Sequence, residues 1–164
     1  MNTIPRITIF IFCLLMTMHV GAQPTDQIAI MKPINNLFEG MNKMDSILVG
    51  SAFTKDATLV SLMKDKEGKS VMRRGDLGKF IKGMGTPHEE VYSEPIWDVK
   101  MEIDGNFAQV WAKYAFYLGK EFHHCGVDAF HLFKDGTEWK IFHLADTRQV
   151  EDCEVPQAIK NRFK

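Results

Sequence analysis

The sequence predicts an α+β domain in which N-terminal helices pack on a curved antiparallel sheet. Two observations support this prediction. Between Thr25 and Ala52, apolar residues recur every three or four positions, as they do on one face of a helix. After Pro87, tight turns join segments rich in β-branched and aromatic residues, which is typical of an antiparallel meander. Helices that precede a run of hairpins indicate two separate layers.

The first half of the chain alternates helical and extended patterns. The apolar positions of the first helical region are Ile30, Ile34, Leu37, Phe38, Met41 and Met44. Gly40 and then Asp45-Ser46 indicate a helix end and a new N-cap, so a long helix is followed by a short one that ends near Gly50. Residues 57–63 (ATLVSLM) predict a first strand. Residues 74–85 predict a third helix, because apolar side chains return to helical spacing there.

The predicted meander occupies the second half of the chain. Its segments are residues 89–103, 107–118, 125–133 and 138–146, and its turns lie at Asp104-Gly105-Asn106, Gly119-Lys120 and Asp135-Gly136. Residues 151–164 are polar, and Val155, Ile159 and Phe163 recur there at four-residue spacing. We therefore divide the chain into residues 1–22, a domain of residues 23–150, and residues 151–164 as a C-terminal tail or short helix.

Residues 1–22 have the pattern of a secretory signal peptide. Arg6 supplies a positive charge, residues 7–20 an apolar core, and Val20-Gly21-Ala22 the small residues before a cleavage point. An apolar run of about 14 residues is short for a membrane span, which needs about 20. We expect cleavage near Ala22 and export to the periplasm or the extracellular space, with no membrane attachment afterwards. A retained N-terminal anchor is the alternative.

The charge balance argues against nucleic acid as a partner. Without Arg6, the 20 basic residues become 19, and they face 21 acidic residues. Proteins that bind nucleic acids rely on clustered Lys and Arg, whereas the densest basic spot here is the pair Arg73-Arg74. The sequence also contains no glycine-rich phosphate loop, heptad array or internal repeat.

Hairpin register predicts which side chains share a face of the sheet. Two-residue turns in the last two hairpins would place Asp128 opposite both Trp111 and His143, with Tyr114 and Cys125 on the other face. A bulge would change these pairings. An aspartate within an apolar strand is disfavoured unless it is paired or functional. Asp128 is therefore either a general base in a pocket or a carboxylate that hydrogen-bonds Trp111, His143 or the backbone.

The stretch FHHCGVDAFHLF, residues 122–133, raises the question of a metal site. His131 lies six residues, or about 20 Å, along an extended strand from Cys125, so one strand cannot surround one ion with all its ligands. Paired CxxC units and the HExxH motif are absent, and we predict no metal and no other cofactor. In an exported chain, Cys125 and Cys153 predict a disulfide that ties the tail to the sheet. Two free thiols are the alternative.

Four strings, spread over residues 37–148, are informative about the family: LFEGMNKMDSILVGSAFTKDATL, IDGNFAQVWAKYAFYL, FHHCGVDAFHLFKDGTEWKI and LADTR. These strings, and the order of the elements, resemble the nuclear transport factor 2-like (NTF2-like) superfamily, which includes SnoaL-like and ketosteroid-isomerase-like proteins. They are most similar to small exported bacterial members provisionally described as lumazine-binding. The resemblance implies a cone with a pocket between helices and sheet, and a homodimer packed through the sheet. It implies no single activity, because this fold carries enzymes, binding modules and scaffolds.

On this resemblance, we expect a module that binds a small apolar or aromatic molecule and lacks established catalysis. The expected ligand-binding residues are Trp97, Trp111, Tyr114, Asp128, His143 and Arg148. On the alternative interpretation, the aromatic residues among them belong to the core or to an interface. Arg148 would then form a surface ion pair with Asp146, whereas in a binding module it would bind an anion at the mouth of the pocket.

Two other functions remain open at this point. One is an isomerase, cyclase or hydratase with Asp128 as general base, assisted by His143 or Tyr114. The other is a protein-interaction module, which would expose an apolar patch.

Overall fold

The N-terminal layer consists of two helices. The computed structural model describes residues 24–164, so the predicted signal peptide, residues 1–22, lies outside the described residues. Helix α1 (Pro24–Lys43) is followed by the short helix α2 (Ser46–Ser51), as the apolar spacing predicts. The Asp45 carboxylate caps α2 by accepting hydrogen bonds from the backbone N–H groups of Ile47 and Leu48, at 3.0 and 2.9 Å.

Strands make up most of the remaining chain. The further elements are β1 (Phe53–Lys64), β2 (Ser70–Gly75), α3 (Leu77–Met84), β3 (Tyr92–Ser93), β4 (Ile96–Asp104), β5 (Phe107–Leu118), β6 (Glu121–Asp135), β7 (Glu138–Arg148) and α4 (Gln157–Lys160), with a final 3-10 turn (Asn161–Phe163). Strand β2 is not predicted from the sequence. The segment 89–103, predicted as one strand, is divided into β3 and β4 at Glu94-Pro95, because proline cannot donate a ladder hydrogen bond.

The strands form one curved sheet in the order β2-β1-β7-β6-β5-β3, and β4 also pairs with β5. The predicted hairpins β4-β5, β5-β6 and β6-β7 are all present and antiparallel. One pairing outside the predicted meander is not antiparallel, since β1 pairs with β7 in parallel. The sheet is therefore mixed, and β1 brings residues from the first half of the chain beside the last strand.

A one-residue bulge changes the predicted register between β5 and β6. Leu118 pairs with Glu121, as the turn at Gly119-Lys120 predicts, but His123 is an extra residue on β6. Beyond this bulge, Asp128 pairs with Ala112. The predicted pairing of Asp128 with Trp111 is wrong for this reason, because one extra residue moves every later side chain to the opposite face.

A second bulge separates Asp128 from His143. The last hairpin turn places Asp135 opposite Glu138, and Phe142 is then the extra residue on β7. Consequently, His143 pairs with His131, and Asp128 pairs with Asp146. The predicted pairing of Asp128 with His143 is therefore wrong, because the two side chains project from opposite faces of the sheet.

The core lies between the helices and the inner face of the sheet. Ile30, Ile34 and Leu37 on α1 are almost fully buried, as the helical spacing predicts. They pack in one cluster with inward-facing strand residues such as Val110 and Phe130. None of the helices within residues 24–164 combines the length and apolar character that crossing a bilayer requires.

The C-terminal residues cover part of the outer face. The predicted disulfide is present between Cys125 on β6 and Cys153, whose Cα atoms are 6.0 Å apart. Helix α4 lies within the predicted tail, where Ile159 is buried in a small second cluster with Cys125. Phe163 stacks on Tyr117 with ring centroids 3.8 Å apart. The tail is therefore fixed to one end of the outer face by a covalent bond and by apolar packing.

Candidate functional site

A cavity of about 500 Å³ lies between the helices and the inner face of the sheet. Its walls are mainly apolar, and they are formed by residues from α1, α3 and the inner sides of the strands: Leu37, Met41, Leu59, Phe80, Met84, Phe116 and Leu144. Its polar groups are Ser61, Asp76, Lys79, Glu94, Tyr114, His124, Asp128, Asp146 and Arg148. An apolar cavity with a few convergent polar groups is the usual form of a small-molecule site.

Asp128 is the most deeply buried acid of the cavity. The residue is only 2% exposed, and its Oδ2 atom is buried without a hydrogen-bond partner among residues 24–164. Burial raises the pKa of Asp128 well above its usual value, and the nearby carboxylates of Glu94 and Asp146 raise it further. Both effects favour the neutral, protonated form of Asp128 over the carboxylate.

Glu94 enters the cavity from the connection between β3 and β4. The adjoining Pro95 carbonyl accepts a hydrogen bond from the backbone N–H of Ala115 at 3.2 Å, which fixes this connection to β5. Glu94 as a whole residue is half-buried, but it lines the cavity beside Asp128. Burial raises the pKa of Glu94 to about 7, the Asp146 charge adds to the rise, and proton sharing with Asp128 reduces it. The two carboxyls therefore titrate as a pair and not independently.

Asp146 is held by neighbours on two strands. The parallel pairing of β1 with β7 sets Ser61 beside Asp146, and the Ser61 hydroxyl donates to Asp146 Oδ1 at 2.6 Å. Arg148, two residues along the same face of β7, donates from Nε to Asp146 Oδ2 at 2.6 Å and from Nη2 to the Ser61 hydroxyl at 3.1 Å. Asp146 and Arg148 are thus an ion pair that also lines the cavity.

Two further polar side chains of the cavity are neutral. The Tyr114 hydroxyl donates to the backbone carbonyl of Thr147 at 2.9 Å, and burial, followed by the charges of the nearby carboxylates, raises its pKa. Burial also lowers the pKa of His124 to about 4, and the positive charge of Arg148 contributes to this lowering. His124 is therefore an uncharged imidazole near pH 7, with Nδ1 2.8 Å from Nδ1 of His123.

The residues predicted as one site lie in three places. Tyr114, Asp128 and Arg148 line the cavity together. Trp97 lines a separate, smaller cavity of about 170 Å³ beside the disulfide. Trp111 and His143 project from the outer face, where Trp111 is 46% exposed and His143 Nδ1 lies 3.0 Å from His131 Nδ1. The prediction that Trp111 and His143 share a site with Asp128 is therefore wrong, because both side chains lie on the opposite face of the sheet.

Sequence reasoning missed Glu94, Ser61 and His124 as cavity residues. Glu94 lies in a segment predicted as one strand, in which a glutamate is expected to face solvent. The available signal was Pro95, since an acid immediately before a proline marks an interruption of the strand. Within residues 24–164, no group of three or more His, Cys, Asp or Glu side chains is placed to hold a metal ion.

Comparison with solved structures identifies the fold. An NTF2-like protein of unknown function from Shewanella baltica is 18% identical, and the match covers 80% of this chain and 100% of that chain with a TM-score of 0.58. An NTF2-like protein of unknown function from Methylobacillus flagellatus is 19% identical, with coverage of 80% and 98% and a TM-score of 0.57. The chain has the NTF2-like fold.

Other NTF2-like structures match equally well and differ in their descriptions. A candidate dehydratase of the NTF2-like family from Streptomyces avermitilis is 14% identical, with coverage of 77% of this chain and 97% of that chain and a TM-score of 0.59. No family model and no curated protein matches the sequence. Since identities this low establish only the fold, the function must be inferred from the cavity itself.

Proposed function

We propose that this NTF2-like chain is an exported module that binds a small, mainly apolar molecule in its inner cavity. The principal support is the combination of an apolar cavity of about 500 Å³ with a buried Asp128 oxygen that has no partner within residues 24–164. Apolar walls favour burial of the body of a ligand, and a few polar groups fix its orientation. The Cys125–Cys153 disulfide supports export, because disulfides persist mainly in oxidising compartments.

Binding of the neutral fluorescent probe N-phenyl-1-naphthylamine tests this proposal. We expect a saturable rise in fluorescence, and we expect Leu144→Trp to weaken binding by about ten-fold or more because the larger side chain fills the cavity. Leu62→Trp is the matched control, since Leu62 is exposed on β1 and does not line the cavity. Equal loss of binding in both variants, or no binding by the unmodified chain, would contradict the proposal.

A proton-transfer enzyme is the second candidate, and the Glu94–Asp128 pair favours it. Because the pKa of Asp128 is raised and that of Glu94 is about 7, Glu94 would act as base and Asp128 as acid, with Tyr114 beside them. This assignment replaces the predicted one, in which Asp128 was the base and His143 assisted. The test is exchange of the acidic C–H protons of 2-tetralone for deuterium in D₂O, followed by NMR. Exchange that is faster than in buffer alone, and that Asp128→Asn abolishes, would support an enzyme. Exchange no faster than in buffer alone would contradict this proton-transfer activity.

We also propose a homodimer that packs through the outer face of the sheet. Exposed aromatic residues lie there, namely Phe107, Trp111, Phe133 and Phe142. Trp111 pairs with Ala129 on β6, which pairs with Ala145 on β7, so small residues adjoin the indole across two strands. An exposed apolar surface of this kind is suited to a self-complementary contact.

The dimer proposal predicts the effect of a charge at Trp111. We expect native mass spectrometry to show dimers of the unmodified chain and mainly monomers of Trp111→Glu, because the interface would bury an unpaired carboxylate. Val150→Glu serves as control, since Val150 is an apolar residue with 68% exposure outside the strands. A monomeric unmodified chain would contradict the proposal.

A further inference from the structure

The acidic groups of the cavity outnumber its basic groups. The carboxyl, ammonium and guanidinium side chains that line it are Asp76, Glu94, Asp128, Asp146, Lys79 and Arg148. Arg148 is committed to Asp146 and Ser61, and Lys79 is exposed on α3. Among residues 24–164, none of the ion pairs includes Glu94 or Asp128. The two carboxyls therefore share a cavity with no cation of their own.

The neutral groups nearby do not supply the missing hydrogen bond. The Tyr114 hydroxyl donates to the Thr147 carbonyl at 2.9 Å, and His124 is paired through Nδ1 with His123 at 2.8 Å. Asp128 Oδ2 remains without a partner although it is enclosed by the walls of the cavity. A buried polar atom without a hydrogen-bond partner is unfavourable, and a ligand in the cavity could supply that hydrogen bond.

We propose that the ligand of the cavity is an organic amine, whose ammonium group binds between the carboxyls of Glu94 and Asp128. This inference rests on the proposed binding function and names the chemical class of the ligand. An ammonium group offers three donors and one positive charge, which fits two carboxyl groups that lack a cation. The apolar body of the amine packs against Phe116 and Leu144, which line the same cavity.

Anionic and neutral ligands are less suited than an amine to the carboxyl pair of the cavity. The negative charge of a carboxylate or phosphate ligand would be repelled by Glu94 and Asp146. Arg148 pairs with Asp146 and leaves the charge of Glu94 without a partner. A neutral alcohol supplies one donor and no charge, so it satisfies Oδ2 without balancing Glu94. The positive charge of the bound ammonium group lowers the pKa values of the two carboxyls, so amine binding releases part of their bound protons to the buffer.

Three ligands with the same apolar body test the proposal. They are 2-(2-naphthyl)ethylamine, 2-(2-naphthyl)ethanol and 2-naphthylacetate, each used to displace N-phenyl-1-naphthylamine from the chain at about pH 7.5. We expect the amine to bind at least about ten-fold more tightly than the alcohol, and the acetate to bind most weakly. Calorimetry in two buffers of different ionisation enthalpy should show proton release with the amine alone.

Two glutamate variants assign the effect to the carboxyl pair. Glu94→Gln should reduce the preference for the amine over the alcohol to about three-fold or less, because one carboxylate is lost. Glu102→Gln, which changes an exposed glutamate on β4 that does not line the cavity, should leave the preference intact. Glu94 is half-buried, so this variant tests the pair without removing the fully buried Asp128.

The outcomes separate this proposal from the proposed function. Equal displacement by amine and alcohol, or a preference that Glu94→Gln leaves unchanged, would overturn the amine class while binding in the cavity stands. Tighter binding of the acetate would overturn it as well. If the fluorescent probe itself fails to bind, the proposed function fails, and the amine proposal falls with it.

Discussion

Replacing both Cys125 and Cys153 by alanine is expected to lower the free energy of unfolding by about 3 kcal/mol. The disulfide joins residues 28 positions apart, and its removal restores the conformational entropy of that loop to the unfolded chain. The tail also loses its attachment to β6, which weakens the packing of Ile159 in the small outer cluster. Equilibrium unfolding in urea, followed by circular dichroism, measures the change.

Reduction of the unmodified chain provides the control for this prediction. Dithiothreitol should lower the midpoint of unfolding of the unmodified chain and leave the double alanine variant unaffected. If the variant unfolded at the same urea concentration as the oxidised chain, the covalent attachment of the tail to β6 would not stabilise the fold.

The carboxyl pair of Glu94 and Asp128 is expected to contribute less to the stability of the chain as the pH rises from about 5 to about 8. The folded state raises the pKa of Glu94 to about 7 and that of Asp128 well above its usual value, so it binds protons more tightly than the unfolded state does. Groups with raised carboxyl pKa values stabilise the fold below their unfolded pKa, near 4, and this contribution is lost as the pH rises through the folded pKa. We expect a loss on the order of 2 kcal/mol, a figure reduced because Glu94 is only half-buried.

The double variant Glu94→Gln with Asp128→Asn tests this pH dependence. Both substitutions mimic the protonated carboxyls, so the free energy of unfolding of the variant, relative to that of the unmodified chain, should increase between pH 5 and pH 8. His124, whose pKa burial lowers to about 4, stabilises the fold as the pH rises, but it does so equally in both chains. Asp56→Asn, at an exposed aspartate on β1, should keep the pH dependence of the unmodified chain. A difference between the double variant and the unmodified chain that stays constant from pH 5 to pH 8 would contradict the raised pKa values of the pair.

The elements that depend on local patterns could be predicted from the sequence. Helices α1 and α2 follow from apolar residues at helical spacing and from the cap at Asp45, whose signals lie within a few residues of one another. The hairpins follow from short turns, and Gly119 and Gly136 indeed adopt positive φ angles of 57° and 62°, which glycine tolerates best. These features are local, so a single sequence is enough to reveal them.

The composition of the site depended on features that are not local. His123 and Phe142 are ordinary strand residues in the sequence, and only the pairing with a neighbouring strand makes each of them the extra residue of a bulge. A bulge shifts the later side chains by one position. The bulge at Phe142 thereby places His143 on the outer face and Asp146 opposite Asp128. A continuous ladder from a turn at Asp135-Gly136 predicts His143 opposite Asp128, whereas the observed turn pairs Asp135 with Glu138 and the bulge at Phe142 adds one more residue.

The parallel pairing of β1 with β7 was likewise beyond a local pattern. Strands β2 to β6 lie between β1 and β7 in the sequence, and the pairing of β1 with β7 brings Ser61 to Asp146 and Arg148. Asp128 could be singled out from the sequence because an aspartate in an apolar strand is a local signal, and it lines the inner cavity. Its partner Glu94 was missed, since that position depends on the path of the connection through Pro95.

The central claim is that small molecules bind in the inner cavity, and methyl NMR of labelled methionines tests it most directly. Met41 and Met84 line the cavity, whereas Met72 is 59% exposed on β2 and lies outside it. On titration with N-phenyl-1-naphthylamine, we predict saturable shifts of the Met41 and Met84 methyl signals and an unchanged Met72 signal. Shifts confined to Met72, or spread equally over all three methyls, would contradict binding in the cavity.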